Sequence, residues 1–323
     1  MAMPPNRTGV EQGSSRRLIV VGIKVLLAIG VTLYVLAVAS PWQQPRLTLI
    51  WAARRSGGCS FGETIDSYDR VMNIPKIGDR FAGATHVVQE DPSGLQLFET
   101  PRGRYWAVKN DKFLRYALAE QELQIYGTDG HGVRPGDVVL DCGANVGVFT
   151  RTALSRGARL VVAIEPTPAT VACLRRNFQQ EIADRRVLVY PKGVWDHVDT
   201  LELALGDEGN TTGNSFVLGR NVKTKINLPL TTIDNIVREL NLGRVNFIKM
   251  DIEGAEKQAL RGGAQTIKRF SPRMAIATEH LPDDLTRIPE VVNSIRPDYQ
   301  IISTNCQDHY LSVEPGVLLF ETK

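Results

Sequence analysis

Gly136–Phe149 reads GDVVLDCGANVGVF, and the order of its residue types decides the architecture. Val138-Val139-Leu140 is apolar without alternation, the pattern of a strand buried on both faces. The run ends on Asp141, followed by the turn Gly143-Ala144-Asn145-Val146-Gly147. Val146 to Arg156 then reads as a helix stopped by Gly157. A buried strand, a tight glycine turn and a helix start form a ligand cradle at the carboxyl end of a parallel strand.

Working outward, Leu160-Val161-Val162-Ala163-Ile164 predicts a second buried strand ending on Glu165-Pro166, with Thr167 as N-cap and Pro168 in the first turn of the next helix. Glu165 falls about 20 residues past the glycine turn, where a carboxylate can accept both hydroxyls of a ribose. The ligand therefore contains a nucleoside, and two cofactors compete. A nicotinamide dinucleotide rests its pyrophosphate on a Gly-x-Gly-x-x-Gly turn and the helix amino end. Here the third glycine is missing, and Asp141 is expected at the mouth, where it would repel a pyrophosphate. S-adenosyl-L-methionine, with a sulfonium, an ammonium and no phosphate, fits better. In this reading Asp141 holds the methionyl ammonium side, Gly143 and Gly147 let the backbone approach the ligand, Asn145 shapes the turn and Glu165 binds the ribose.

Val187–Tyr190 predicts a third strand, and Thr200–Leu205 with the residues around Phe216 predict edge strands about a polar loop at Gly209–Asn214. Thr231 and Asp234 resemble a capping box. Val245–Met250 is the next buried strand and runs into Asp251-Ile252-Glu253-Gly254-Ala255-Glu256. Acids at a helix amino end are stabilised by its dipole, which accounts for Glu256. Three carboxylates around one glycine exceed that need, so Asp251 and Glu253 are assigned to the acceptor side. Met274–Thr278 ends on Glu279-His280, and His280, with an ordinary pKa near neutrality, is a candidate general base. Tyr299–Ser303 and Gly316–Glu321 predict a closing pair of strands. No metal-ligand set is evident.

The 323 residues are 43% hydrophobic and 23% charged, an ordinary globular balance, and the net charge of +3 does not argue for nucleic acid. Four scattered cysteines have neither metal spacing nor a disulfide framework and are expected reduced. Leu18–Ala39 is a run of 22 residues interrupted only by Lys24, long enough to span a bilayer. A signal peptide cut after Ala37-Val38-Ala39 is the rival reading. The flanking arginines are balanced and leave the orientation open. Because the cofactor is made in the cytosol, a single-pass anchor with the domain on the cytosolic side is expected. The organisation expected is a flexible 1–17, a transmembrane helix 18–40, a juxtamembrane linker 41–80 with a flexible joint at Arg54–Gly58, a small antiparallel cap 81–118 and a catalytic domain 119–323.

GDVVLDCGANVGVFT, AIEP and FIKMDIEGAEKQALRGG together resemble the FkbM-type family of S-adenosylmethionine-dependent methyltransferases. The resemblance runs from about Ala119 to the carboxyl end, and Asp-x-Glu-Gly-x-Glu is its specific part. It implies an α/β fold of the class I methyltransferase (Rossmann-like) kind, a doubly wound seven-stranded sheet whose last strand is antiparallel. It also implies methyl transfer to hydroxyl oxygens of sugars, glycolipids or polyketide-like products. Glu120-Gln121-Glu122 would correspond to an acidic segment lying over the cofactor, with Glu122 as a contact. The acceptor is expected to be a small molecule or a glycan- or lipid-linked hydroxyl. An NAD-dependent oxidoreductase and a non-catalytic cofactor-binding membrane scaffold remain as alternatives.

Overall fold

A computed structural model describes residues 20–25, 27–28, 30–32, 43–127, 130–204, 215–217 and 225–322. Strands β1 (His86–Glu90), β2 (Leu95–Thr100) and β3 (Gly103–Val108) form an antiparallel meander, the small cap expected before the main domain. Strands β4 (Val138–Cys142), β5 (Leu160–Ile164) and β6 (Val187–Tyr190) begin the main sheet. Strands β7 (Gly193–Val194), β8 (Asp199–Ala204) and β9 (Lys225–Thr231) make a small sheet of their own. Strands β10 (Phe247–Met250), β11 (Arg273–Ala277), β12 (Tyr299–Asp308) and β13 (Val313–Thr322) complete the main sheet.

The seven strands lie in the order β12-β13-β11-β10-β4-β5-β6, and β13 alone runs against the others. Successive residues of each central strand point to opposite faces, so one face buries Val139, Val161 and Phe247 and the other Leu140, Val162 and Ile248. Both faces are covered, which is why these strands read as continuous apolar runs. The chain winds outward from β4 to β6 and then crosses back to β10 on the other side of β4. The crevice between the carboxyl ends of β4 and β10 is thus the switch point where an open α/β sheet binds its ligand.

The stretch expected to be linker is instead two helices, Gln43–Ala52 and Phe61–Ala84. Ser60 and Glu63 close a reciprocal capping box at the start of the second. Leu47, Ile50 and Val313 share a small core with Cys59 and Cys306, which are joined as a disulfide. This corrects the expectation of four reduced cysteines; only Cys142 and Cys173 are free. The signal is absent from the sequence because the partners are 247 residues apart. Arg46, 2% exposed, pairs with Asp308 beside the disulfide. The Arg54–Gly58 joint is pinned, since Val313 donates its amide to the carbonyl of Arg55 at 2.9 Å. No capping box forms at Thr231 and Asp234. Thr232 is the N-cap of helix Ile233–Glu239, and Asp234 accepts the Gln265 and Thr266 amides at the start of the next helical layer.

Among the described residues no helix is long and apolar enough to cross a membrane. Half of the apolar run expected to span a bilayer lies outside the described residues. Its described part, 20–25, 27–28 and 30–32, is helical, with Val20, Val21, Ile23, Leu27 and Val31 all exposed. The polar loop 209–214 also lies outside the described residues.

Candidate active site

A cavity of about 270 Å³ opens at the switch point, lined by the turn Gly143–Val146, Glu165, Lys249 and the Asp251–Glu253 segment, with Glu279 and His280 from the end of β11. The turn takes its shape from close contacts. Gly143 has φ +79°, and a Cβ there would come within 1.9 Å of the Asp251 carbonyl oxygen. Gly147 has φ +93°, and its Cβ would meet the Phe178 ring at 2.2 Å. Both glycines thus answer a packing need; Gly143 also lines the cavity, as expected, and Gly147 is not among its lining residues. One lets β4 pass the end of β10, the other lets helix Val148–Ser155 seat against Phe178.

Glu165 ends β5 as expected and is 7% exposed. Its two carboxylate oxygens accept the amides of Asn145 at 3.1 Å and Thr167 at 2.9 Å. The carboxylate therefore ties the glycine turn to the next helix start while facing the cavity. Burial pushes its pKa up, against the backbone amides that favour the anion. Asn145 occupies the left-handed region at φ +50°, and its side-chain oxygen accepts the Val146 amide at 2.7 Å, so it shapes the turn from within.

Asp141 is not at the mouth. It is fully buried behind the cavity wall, where Oδ2 accepts from Thr150 Oγ1 at 2.6 Å. The parallel register sets Lys249 of β10 directly beside it, and Lys249 Nζ lies 3.6 Å from its other oxygen. Buried and paired with a lysine, Asp141 neither repels a pyrophosphate nor reaches a methionyl ammonium at the mouth, which corrects that expectation. Lys249 is 4% exposed and also donates to the Gly143 carbonyl at 2.9 Å. Burial works against its charge, but Asp251 and Asp141 outweigh that and hold the ammonium above its ordinary pKa. Sequence reasoning passed over Lys249, although a charge inside the apolar run Val245–Met250 was a usable signal.

Asp251 faces the cavity. Its Oδ2 accepts the Tyr126 hydroxyl at 2.7 Å and lies 3.8 Å from Lys249; Oδ1 lies 3.4 Å from His280 Nε2. Burial opposes its ionisation, yet Lys249 and His280 hold its pKa below the usual range. Tyr126 was also missed, and nothing in the local sequence marks it. His280 Nδ1 sits 3.1 Å from Glu256 Oε1, close enough for an ion pair but without hydrogen-bond geometry. Against burial, Glu256 and then Asp251 raise the His280 pKa to about 10. The imidazole assigned as a general base is thus already protonated at neutral pH, which corrects that expectation. Glu256, fully buried, also accepts the Ile252 amide at 2.9 Å, so it does more than face a helix dipole. Glu253 lines the cavity in the left-handed region, at φ +55°, a costly conformation for a residue with a side chain.

Glu122 does not reach the cavity; it pairs with Arg80 on the outside of its helix. Its neighbour Glu120, two residues back and on the opposite side, lines the cavity instead. Burial, then Asp251 and Glu279, push the Glu120 pKa up to about 8.

Residues 141–299 match the family model of the methyltransferase FkbM domain. The 31-O-demethyl-FK506 methyltransferase FkbM of Streptomyces tacrolimicus is 30% identical over 165 residues, 41% of this chain and 62% of that protein. Methyltransferase 1 of Beauveria bassiana is 27% identical over 150 residues, 38% of this chain and 57% of the relative. The chain thus spans less than two thirds of the length of these curated relatives. The crystal structure of a methyltransferase FkbM from Methylobacillus flagellatus KT is similar at 19% identity and a TM-score of 0.43, covering 85% of this chain and 70% of that one. The glycine turn lies just inside the segment matched by the family model, and Glu165 and the Asp251–Glu256 segment converge on the same crevice, so residues 141–299 are the part of the chain that is similar to the FkbM-type methyltransferase domain.

Proposed function

We propose that the protein is an S-adenosyl-L-methionine-dependent methyltransferase that methylates a hydroxyl of a sugar, glycolipid or secondary metabolite. The carrying observation is Glu165, a carboxylate held by two backbone amides at the end of β5 and turned to a cavity whose far wall is Asp251. The residues fit the cofactor's charge. Five carboxyl groups line the cavity (Glu120, Glu165, Asp251, Glu253, Glu279) against three cationic side chains (Lys192, Lys249, His280). With Glu120 largely protonated at neutral pH, the remaining four still outnumber the cations, a balance that favours a sulfonium and an ammonium over a pyrophosphate. S-adenosylmethionine, when bound, supplies a methyl group already activated for transfer.

The chain's own residues do the rest. Glu165 accepts hydroxyls of the ribose, while Gly143 and Asn145 hold the turn beside it. Tyr126 and Lys249 engage one oxygen of Asp251 and orient the other toward the acceptor side. Asp251 then accepts a hydrogen bond from the acceptor hydroxyl and takes its proton as the methyl group is transferred, since an ordinary carboxylate cannot deprotonate an alcohol beforehand. His280, charged, steadies that carboxylate. Calorimetry with S-adenosylmethionine and with NAD tests the cofactor. Affinity for NAD alone would return the site to the oxidoreductase alternative. Labelled-methyl transfer into a glycan and lipid extract tests the reaction, and cofactor binding with no transfer would favour a scaffold.

Anchorage is the second part of the proposal, with an acceptor that is membrane-associated. The 22-residue apolar run and its uncovered Val20, Ile23 and Leu27 side chains support it. Cytosolic synthesis of the cofactor favours a cytosolic catalytic domain. One observation favours the opposite side: a disulfide such as Cys59–Cys306 persists in oxidising compartments. Protease protection of intact cells, with thiol alkylation before and after reduction, separates the two. A domain cleaved by protease added outside intact cells, with both cysteines blocked until reduction, would overturn the cytosolic reading.

A further inference from the structure

The acceptor side of the cavity holds a constellation that the methyl-transfer reading leaves partly unused. Asp251, Glu253 and His280 each present one ligand atom, and these atoms all lie within 4.8 Å of one another. All three line the cavity. Carboxylates in a cluster are commonplace, so the histidine is what decides. His280 is 9% exposed, and its Nδ1 has no hydrogen-bond partner. The fully buried Glu256 stands 3.1 Å from that nitrogen, an arrangement in which a carboxylate behind a histidine sets the direction of its other nitrogen. The other nitrogen, Nε2, is thereby aimed at Asp251 Oδ1, 3.4 Å away.

Asp251 is divided in the same sense. Its Oδ2 is engaged by Tyr126 at 2.7 Å and faces Lys249, while Oδ1 is turned to His280. A separation of 3.4 Å between a nitrogen and an oxygen suits two bonds of about 2.1 Å to one ion, at an angle of roughly 110°. A neighbouring triad, Glu256, His280 and Asp284, is a poorer candidate. There the Asp284 oxygens already accept from Lys257 Nζ at 2.7 Å and the Leu281 amide at 2.8 Å.

We propose that Asp251 Oδ1, the Glu253 carboxylate and His280 Nε2 form a binding site for a divalent first-row transition-metal ion, with Glu256 orienting His280 and the remaining coordination positions open to the cavity. One imidazole and two carboxylates suit Zn²⁺, Mn²⁺ or Fe²⁺ rather than a thiolate-seeking ion. The ion takes the place of the proton that His280 carries in its absence, so binding releases a proton and strengthens as the pH rises. Asp251 Oδ1 then holds the ion instead of accepting the acceptor's proton. The open positions take a neutral oxygen, from water or from an acceptor hydroxyl, and there the ion makes a weakly acidic hydroxyl easier to deprotonate. This role rests on the methyltransferase reading; the site itself does not.

The test is Mn²⁺ binding to the metal-stripped full chain, followed by electron paramagnetic resonance in the absence of S-adenosylmethionine. One ion per chain with a micromolar Kd is expected. His280→Ala and Glu253→Gln should each weaken it at least tenfold, and Glu256→Gln by about tenfold, as loss of a carboxylate behind a histidine ligand does. Glu290→Gln, on an exposed helix face, should leave it unchanged. Thermal melts check that each variant is folded, and Glu253→Gln carries the test if His280→Ala is not. Absence of stoichiometric binding below millimolar Mn²⁺, or equal affinity in folded Glu253→Gln, overturns the site. Calorimetry with S-adenosylmethionine on the same preparations keeps the two readings apart. A chain that takes the cofactor and no metal defeats only the metal site, and one that takes metal and no cofactor defeats only the methyltransferase reading.

Discussion

Lys249→Met is the most exacting test of how the crevice is built. Methionine keeps the length of the side chain and removes its charge. The lysine is 4% exposed, lies 3.6 Å from Asp141 and 3.8 Å from Asp251, and donates to the Gly143 carbonyl at 2.9 Å. The substitution strands a fully buried Asp141 without its counter-charge, a class of change that costs about 3–5 kcal/mol. The lost hydrogen bond to Gly143 adds about 1 kcal/mol. In a domain of this size each kcal/mol lowers Tm by about 2–4 °C, so the variant should melt roughly 10 °C or more below the parent. If the stranded charge is the cause, Lys249→Met/Asp141→Asn should recover at least a third of the loss, since the neutral amide no longer needs a cation. Differential scanning calorimetry on the four proteins closes the cycle. A Tm drop under 3 °C, or a double variant no better than Lys249→Met, would refute the argument that the pair organises the crevice.

Glu165→Ala removes the acceptor of two backbone amides as well as the ribose contact. It should weaken S-adenosylmethionine by about 10–100-fold, or roughly 1–3 kcal/mol; unchanged affinity by titration calorimetry would take Glu165 out of the site. Asp251→Asn should leave cofactor affinity within a few-fold and lower turnover, measured by labelled-methyl transfer. Loss of cofactor binding in a folded variant would contradict the assignment of Asp251 to the acceptor side. Glu120→Gln carries a pH signature. The folded-state pKa of about 8 lies above the 4.5 of an ordinary glutamate, so Glu120 binds its proton more tightly in the folded protein. Its contribution to stability is fully present below about 4.5 and is lost as the pH rises through 8. Glutamine mimics the protonated acid, so Tm should gain more at pH 8 than at pH 5, by an amount on the order of 1 kcal/mol. An equal gain at both pH values would mean that Glu120 titrates normally.

The sheet was legible in the sequence because a strand covered on both faces has no room for polar residues. Val138–Leu140, Leu160–Ile164 and Val187–Tyr190 announce themselves by composition alone, and the turn after β4 by the two glycines its contacts demand. Positions at strand ends follow from the same rule, which is why Glu165, Asp251, Glu253 and His280 were read into one crevice and all line it. What each side chain does there depended on neighbours distant in the chain. The register of β4 against β10 set Lys249 beside Asp141 and took the acid out of the mouth. Helix Leu114–Glu122 turned Glu120 inward and left Glu122 with Arg80 outside. Glu256 and Asp251, closing on His280 from two sides, converted an expected base into a cation. The Cys59–Cys306 bond joins residues 247 positions apart. Periodicity and turn chemistry are local and survive in a one-dimensional string. Charge pairing, protonation and disulfide partnership are set by distances of a few ångströms between elements, and only the packed chain sets those distances.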